Sequence, residues 1–309
     1  MERASEVPKI TVVGACNIDL ISYVPRLPAL GETLHGTRFH MGFGGKGANQ
    51  AVMAAKLGAH VTMITKLGRD VFGENTRENF ERFGIATRHV HFTDQAFSGV
   101  APIAVDPDGG NSIIIVTGAN DLLTAEEITA AQAEIAASDV LVCQLEIPIA
   151  LNLTALRLAR AAGVTTVFNP APAQPELPAE IYQLSDVFCP NETETQLLTG
   201  QPVTTLDEAE SAARVLLARG AGAIILTLGQ RGSLIVTGES ARHVPAHTVQ
   251  AIDSTGAGDA YVGSLAYFLG RGQSLLEAAQ RAGAIATRSV LKSGTQTSFP
   301  DASEIADLL

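Results

Sequence analysis

The chain contains no tryptophan, and aromatic residues make up only 5% of its 309 positions. Binding of nucleic acid by base stacking has no support in such a composition. Cationic residues are also few, 21 against 32 acidic ones, and they are scattered along the chain, which argues against a polyanion-binding surface. Any phosphate must therefore be held locally. No apolar run approaches the roughly 18 residues of a membrane span, and residues 1–6 lack the apolar core of a signal peptide. A cytoplasmic protein without nucleic-acid or membrane partners is expected. Cys16, Cys143 and Cys189 are odd in number and far apart, which fits buried thiols better than disulfides or a metal site. The seven histidines show no metal-ligand spacing.

What is present is a regular alternation of β-branched runs and helix-period segments. Residues 9–15 (KITVVGA) form a continuous β-branched run, as in a strand buried on both faces of a parallel sheet. Strands are predicted over 61–65, 140–145, 165–169, 187–189 and 224–228, and helices over 48–57, 72–83, 124–136, 149–162, 192–198 and 206–219. An apolar run of helical length follows at 260–269. This pattern predicts an α/β fold with a doubly wound, mostly parallel sheet flanked by helices. Two segments depart from it. Residues 33–41 read as a strand off the core sheet, and 99–105 and 112–116 read as a hairpin about the turn cluster 106–111. Together they predict a small β lid built from about 20–43 and 97–118, within one body spanning 1–309, since no repeat or low-complexity linker divides the chain.

The richest stretch for chemistry is Asp253-Ser254-Thr255-Gly256-Ala257-Gly258-Asp259, directly before the apolar run. Small residues between two carboxylates at a helix start let backbone N–H groups crowd a charged oxygen, with Asp259 beside it in the first turn. The same residues would also make a tight strand-to-helix turn capped by Asp253. A second glycine segment, Gly42-Phe43-Gly44-Gly45-Lys46-Gly47-Ala48-Asn49-Gln50, has a formal G-x-G-x-x-G, but the strong first strand lies too far upstream for a dinucleotide fold. A phosphate loop of the G-x-x-x-x-G-K-[ST] type fails as well, because its first glycine would fall on His40 and Gly47 follows the lysine. A glycine loop that brings backbone near a small ligand remains, with Lys46 and Asn49 reaching it from a helix start.

Asn17 and Asp19 follow the first strand and share one side by period-two spacing, an arrangement suited to neighbouring hydroxyls or to an Asx-turn. Glu146 follows the strand predicted at 140–145 and belongs to the same mouth. Asn191 and Glu194, spaced i, i+3 at a helix start, could hold the water shell of Mg²⁺ or simply cap the helix. Thr227 and Gly229 end a strand where glycine exposes backbone to a nucleotide.

In this order the motifs resemble the ribokinase-like family of sugar kinases. The likeness runs nearly end to end: Asn17-Ile18-Asp19, the segment 44–51, Gly118-Ala119-Asn120, Gln144-Leu145-Glu146, Asn169-Pro170-Ala171-Pro172-Ala173, Asn191-Glu192-Thr193-Glu194, Thr227-Leu228-Gly229 and 253–259. The resemblance implies ATP-dependent phosphorylation of ribose at O5 and a β lid that also forms a homodimer contact. It implies that Asn17, Asp19, Gly45, Lys46, Asn49 and Glu146 hold the sugar, with Asp259 as general base and Gly256, Ala257 and Gly258 supplying N–H groups to the transferred phosphoryl. ATP would lie over Thr227 and Gly229, with Asn191 and Glu194 near Mg²⁺ and the phosphates. A monovalent-cation site, K⁺ by resemblance, would use Asp253, Thr255, Val290, Ser293, Gly294 and Ser298. Gly283 departs from the family pattern, since relatives often carry Asn or His there beside the adenine. A kinase of deoxyribose, or of another small sugar or nucleoside, shares the same catalytic motif, and a non-catalytic sugar sensor is the reading from another class.

Overall fold

The computed structural model describes residues 7–107 and 109–308, so the N-terminal residues 1–6, Asp108 of the turn cluster and Leu309 lie outside the described residues. The chain runs β1 (Lys9–Val13), β2 (Asn17–Tyr23), β3 (Arg38–Gly44), α1 (Lys46–Lys56), β4 (His60–Gly68), α2 (Val71–Arg82), β5 (Ala86–Thr93), β6 (Gly99–Val105) and β7 (Asn111–Ile113). After α3 (Ala125–Ala130) and α4 (Gln132–Ala136) come β8 (Val140–Gln144), α5 (Ile149–Ala162), β9 (Thr165–Asn169), α6 (Ala179–Gln183), β10 (Val187–Phe188), α7 (Glu192–Thr199) and α8 (Leu206–Ala218). The last part holds β11 (Ala223–Thr227), β12 (Ser233–Val236), β13 (Ala241–Val244), α9 (Ala257–Gly270) and α10 (Leu275–Ser289).

Nine strands form one sheet in the order β13-β12-β11-β10-β9-β8-β1-β4-β5. Strand β1 pairs in parallel with β4 on one side and β8 on the other, so the winding reverses between β1 and β8. Ligands of open α/β sheets bind outside the carboxyl ends of the strands at such a reversal. Side chains alternate across β1: Ile10 and Val12 pack with α1, α2, α9 and α10, while Val13 packs with α3 to α8 on the opposite face. Burial on both faces is why the run reads as continuously apolar. The doubly wound, mostly parallel sheet anticipated from the alternation is present. Its edge is antiparallel, because β11, β12 and β13 form a meander.

The second sheet has four strands in the order β3-β2-β6-β7. Here several sequence expectations need correction. Residues 17–23, assigned no element above, form a full strand because β2 gains partners on both edges: β3 antiparallel and β6 parallel. The strand expected at 33–41 starts later, at Arg38, and absorbs Gly42 to Gly44, which stay extended by pairing with Asn17 to Asp19. The hairpin's second strand is shorter than 112–116; beyond Ile113, Ile114 N–H donates to the Pro102 carbonyl and a bridge joins Val116 to Val100. The helix expected over 124–136 is broken at Ala131 into α3 and α4.

Candidate active site

The start of α1 is pressed into the reversal point by glycine. Gly45 adopts φ 87°, and a Cβ there would lie 2.7 Å from both the Ala15 carbonyl oxygen and the Asn17 nitrogen. A Cβ on Gly47 would lie 2.8 Å from the Gly14 Cα, so α1 meets the end of β1 backbone against backbone. In this seat Lys46 N–H donates to Glu146 Oε2 at 2.7 Å, joining the helix start to the segment after β8. Asn49 and Gln50, on the first turns of the helix, are both buried and point toward α9.

There they meet Asp259, which is only 7% exposed. Asn49 Nδ2 donates to Asp259 Oδ2 at 2.8 Å, and Gln50 Nε2 donates to Oδ1 at 2.9 Å. Gln50 is itself held, accepting from Gln144 Nε2 at 2.7 Å and donating to Asn169 Oδ1 at 3.1 Å. Gln50, Gln144 and Asn169 carry no site role in the sequence reading, although all three sit in motifs that flagged the resemblance. The usable signal was an amide, Gln50, directly before the apolar run 51–55.

Helix α9 starts from Gly256 in the left-handed region, φ 78°, with no side-chain cap. Asp253 therefore does not cap it. Its Oδ1 accepts from Thr255 N–H and its Oδ2 from Gly294 N–H, both at 2.9 Å, so Asp253 ties the turn before α9 to the segment after α10. Ala257 N–H turns back to the Ser254 carbonyl at 3.2 Å, whereas Gly258 and Asp259, at the second and third helical positions, have N–H groups without a helical partner. In the same segment the Val290 carbonyl accepts from Ile252 and Asp253 N–H, the Ser293 carbonyl from the Thr297 hydroxyl, and the Ser298 hydroxyl donates to the Thr295 carbonyl. One carboxylate and several backbone carbonyls are a donor set that suits a hard cation.

Asn17 and Asp19 stand at the root of β2, facing glycines on the neighbouring strands. A Cβ on Gly99 would lie 2.2 Å from Asn17 Oδ1, and one on Gly44 would lie 2.3 Å from Asp19 Oδ1. Larger residues would push both side chains out of place. Asn120, another residue with no role in the sequence reading, donates to Asn17 Oδ1 at 3.0 Å and accepts from Cys16 N–H at 2.9 Å.

Asn191 and Glu194 make a reciprocal cap at the start of α7, the blander of the two readings. Asn191 Oδ1 accepts from Glu194 N–H, and Glu194 Oε2 accepts from Asn191 N–H, both at 2.8 Å. The Glu194 carboxylate is buried and faces Lys46 and Asp259 electrostatically, and its lone pairs left over from the cap suit the water shell of Mg²⁺. Thr227 is bridged to Asn191, donating its N–H to the Pro190 carbonyl at 2.9 Å, and Gly229, φ 54°, follows beside Glu192. Gly283 lies on α10, where an added Cβ would stand 3.8 Å from the Tyr261 ring. Among the described residues no cluster of three or more His, Cys, Asp or Glu side chains could hold a metal ion, and Cys16, Cys143 and Cys189 are free and buried.

The electrostatics are unusual. Burial, reinforced by Glu146 and Asp259, pushes Asp19 up to about 7. Burial likewise pushes Glu194 up to about 7, against the lowering effect of the Asn191 N–H and Lys46. Glu146 is raised for the same first reason. Burial alone would lower Lys46, but Asp259, Glu146 and Glu194 around it outweigh burial and raise it. One buried ammonium thus faces several carboxyls that lack enough positive charge.

This arrangement predicts a pH dependence. Asp19 and Glu194 bind protons more tightly folded than unfolded, so between about 4 and about 7 the folded chain holds more protons and stability falls as pH rises. The sugar-free protein should melt at a lower temperature at pH 8 than at pH 6. His91, held below its ordinary value by burial, acts in the opposite sense below about 6.5, and comparison with Asp19→Asn isolates the carboxyl effect. That variant should show a flatter slope, and an unchanged slope would count against a proton on Asp19.

A family model described as pfkB family carbohydrate kinase matches residues 7–302. The chain belongs to this family of carbohydrate kinases. The pfkB-family chain is 44% identical over 302 residues to a ribokinase of Mus musculus, covering 96% of this chain and 94% of the relative. It is 41% identical over 300 residues to a deoxyribokinase of Salmonella typhi, covering 97% and 98%. Among solved structures, that of Arabidopsis thaliana ribokinase complexed with ribose and ATP superposes with a TM-score of 0.90 at 29% identity, over 98% of this chain and 99% of the other. The pfkB-family assignment makes the protein a carbohydrate kinase. Among the described residues no helix is long and apolar enough to cross a membrane.

Proposed function

We propose that the protein transfers the γ-phosphoryl group of ATP to O5 of D-ribose. The observation that carries the reading is the Asp259 carboxylate, held by the Asn49 and Gln50 amides at the open start of α9. It is supported by the ribokinase relative and by the ribose and ATP complex of the Arabidopsis protein. Asn17, Asp19, Gly45, Lys46, Asn49 and Glu146 hold the sugar, and its hydroxyls satisfy carboxyls that burial otherwise strains. Asp259 orients the 5-hydroxyl and takes its proton as the new O5–P bond forms and the bond from phosphorus to the β,γ-bridging oxygen breaks. The helix-start amides of α9, Gly258 foremost, stabilise negative charge on the transferred group, within the turn formed by Gly256 and Ala257.

ATP lies along Thr227 and Gly229, with Gly283 leaving the adenine region open beside Tyr261. Asn191 and Glu194 would hold Mg²⁺ through its water shell, where the ion would supply neutralisation of phosphate charge. Asp253, Thr255, Val290, Ser293, Gly294 and Ser298 would hold K⁺, which would brace the loop ahead of Gly256. The four-stranded sheet acts as a lid within one body. Its exposed Phe39, Met41, Ile113 and Ile114 support a homodimer contact through the same surface. Three free buried thiols agree with a cytoplasmic setting.

Ribose is preferred over 2-deoxyribose because Asp19 offers two carboxylate oxygens and Asn17 an amide beside it, which fits neighbouring hydroxyls. The deoxyribokinase relative makes this the decisive comparison. A pocket that hydrogen-bonds a hydroxyl rejects the analogue lacking it by up to roughly 10⁴-fold. ADP release should therefore give a much larger kcat/KM with ribose. Equal use of both sugars would move the assignment to deoxyribose.

A further inference from the structure

Asn49 stands between the reacting carboxylate and a second buried amide that no role above uses. Gln296 is 6% exposed and both ends of its side chain are bonded. Its Nε2 donates to Asn49 Oδ1 at 3.0 Å, and its Oε1 accepts from Asn79 Nδ2 at 2.9 Å. The chain of donors has one direction. An ionised Asp259 only accepts, so Asn49 must turn its NH₂ toward Asp259 and its oxygen away. That oxygen is buried and needs a donor, which Gln296 supplies. Gln296 can supply it only because α2 presents the Asn79 NH₂ to its other end.

Gln296 also belongs to the segment that carries Gly294, whose N–H bonds Asp253, and Thr295, whose methyl would lie 2.6 Å from a Cβ on Gly256. The residue joins three elements at once: α2, the start of α1, and the segment that braces the turn before α9.

We propose that Gln296 is a positioning residue: its donation to Asn49 Oδ1 braces that amide with its NH₂ against Asp259 and so holds the general base and the sugar-binding amide in register. This rests on the proposed sugar kinase activity. Gln296 acts through Asn49, with no contact of its own to the reacting atoms. Removing it leaves the buried Asn49 oxygen without a donor, so the amide loses one of the bonds that hold it against the carboxylate.

The test compares Gln296→Leu, Gln296→Glu, Asn49→Ala and the double variant Asn49→Ala/Gln296→Leu in ribose-dependent ADP release. Gln296→Leu should lower kcat/KM for ribose about 10-fold to 100-fold, with KM for ATP within about twofold. Gln296→Glu keeps the shape but offers no donor to Asn49 at pH 8, so it should lose at least as much. The double variant should be no worse than Asn49→Ala alone, because the two residues act in series. Additive losses, or wild-type turnover in a folded Gln296→Glu protein, would overturn the assignment. Should the unaltered protein release no ADP with any pentose, hexose or nucleoside, the kinase reading falls first and the role of Gln296 with it.

Discussion

Replacing Asp259 by asparagine should lower turnover by about 10³-fold or more, while ribose affinity stays within about tenfold of the parent. The substitution removes the proposed proton acceptor and little volume. It also reverses a donor pattern: Asn49 and Gln50 both donate to Asp259, one to each oxygen. A carboxamide at 259 presents one NH₂ and one oxygen, so one of these two donors faces another donor. Gln50 has a second acceptor in Asn169 Oδ1, which makes its side the less costly place for the mismatch. Calorimetric titration with ribose reads binding, and coupled ADP release reads turnover. Near-normal turnover in a folded Asp259→Asn protein would remove Asp259 from the role of base.

Gly256→Ala should cost about 10²-fold in kcat together with a clear loss of thermal stability. Two effects combine. The residue sits at φ 78°, where an alanine is strained, and its Cβ would lie 2.6 Å from Thr295 Cγ2 and 3.3 Å from Phe299 Cε1. Relief requires the start of α9 to move, and Asp259 lies three residues further along that helix. Gly163→Ala separates strain from displacement. Gly163, at the end of α5, has φ 73° but nothing within 4 Å of its missing Cβ. It should lose about 1 kcal/mol of stability and no activity. Equal kinetic behaviour of the two variants would refute the link between the Gly256 turn and the reacting group.

The site was legible in the sequence where one short motif carries both its chemistry and its backbone demand. Asp259 with Gly256, and Lys46 with Gly45, are of this kind in the candidate site, because the glycine marks the close approach and a charged residue stands beside it. The amides were illegible as a group. Gln50, Asn79, Asn120, Gln144, Asn169 and Gln296 are ordinary polar residues until the fold buries them, and the bond from Gln296 to Asn49 spans 247 positions of sequence. No local pattern encodes a pair so distant.

The same division holds for the fold. Buried parallel strands such as β1 announce themselves through continuous apolar runs. Strands β2 and β5 did not, because polar residues interrupt them, and β12 and β13 did not, because each is only four residues long. Helix α10 was within reach, since Ser274 and Glu277 form a capping box ahead of an amphipathic run, yet the sequence reading passed over it.

The four-stranded sheet leaves the main body at a single narrow root. Asn17 pairs there with Gly44 on one side and Gly99 on the other, and Asn120 clamps the crossing through Cys16 and Asn17. From that root β2 extends seven residues, about 23 Å at 3.3 Å per residue, and Asp19 stands only two residues up, about 7 Å. A tilt of the sheet about its root therefore behaves as a lever with a ratio near one to three. A shift of about 1 Å at Asp19, enough to close or release a hydroxyl, becomes about 3 Å at the Tyr23 and Arg38 end. If the proposed grip of Asp19 on a sugar tilts the sheet, a distance probe at that end should read it amplified, a measurement that needs no reporter in the site itself.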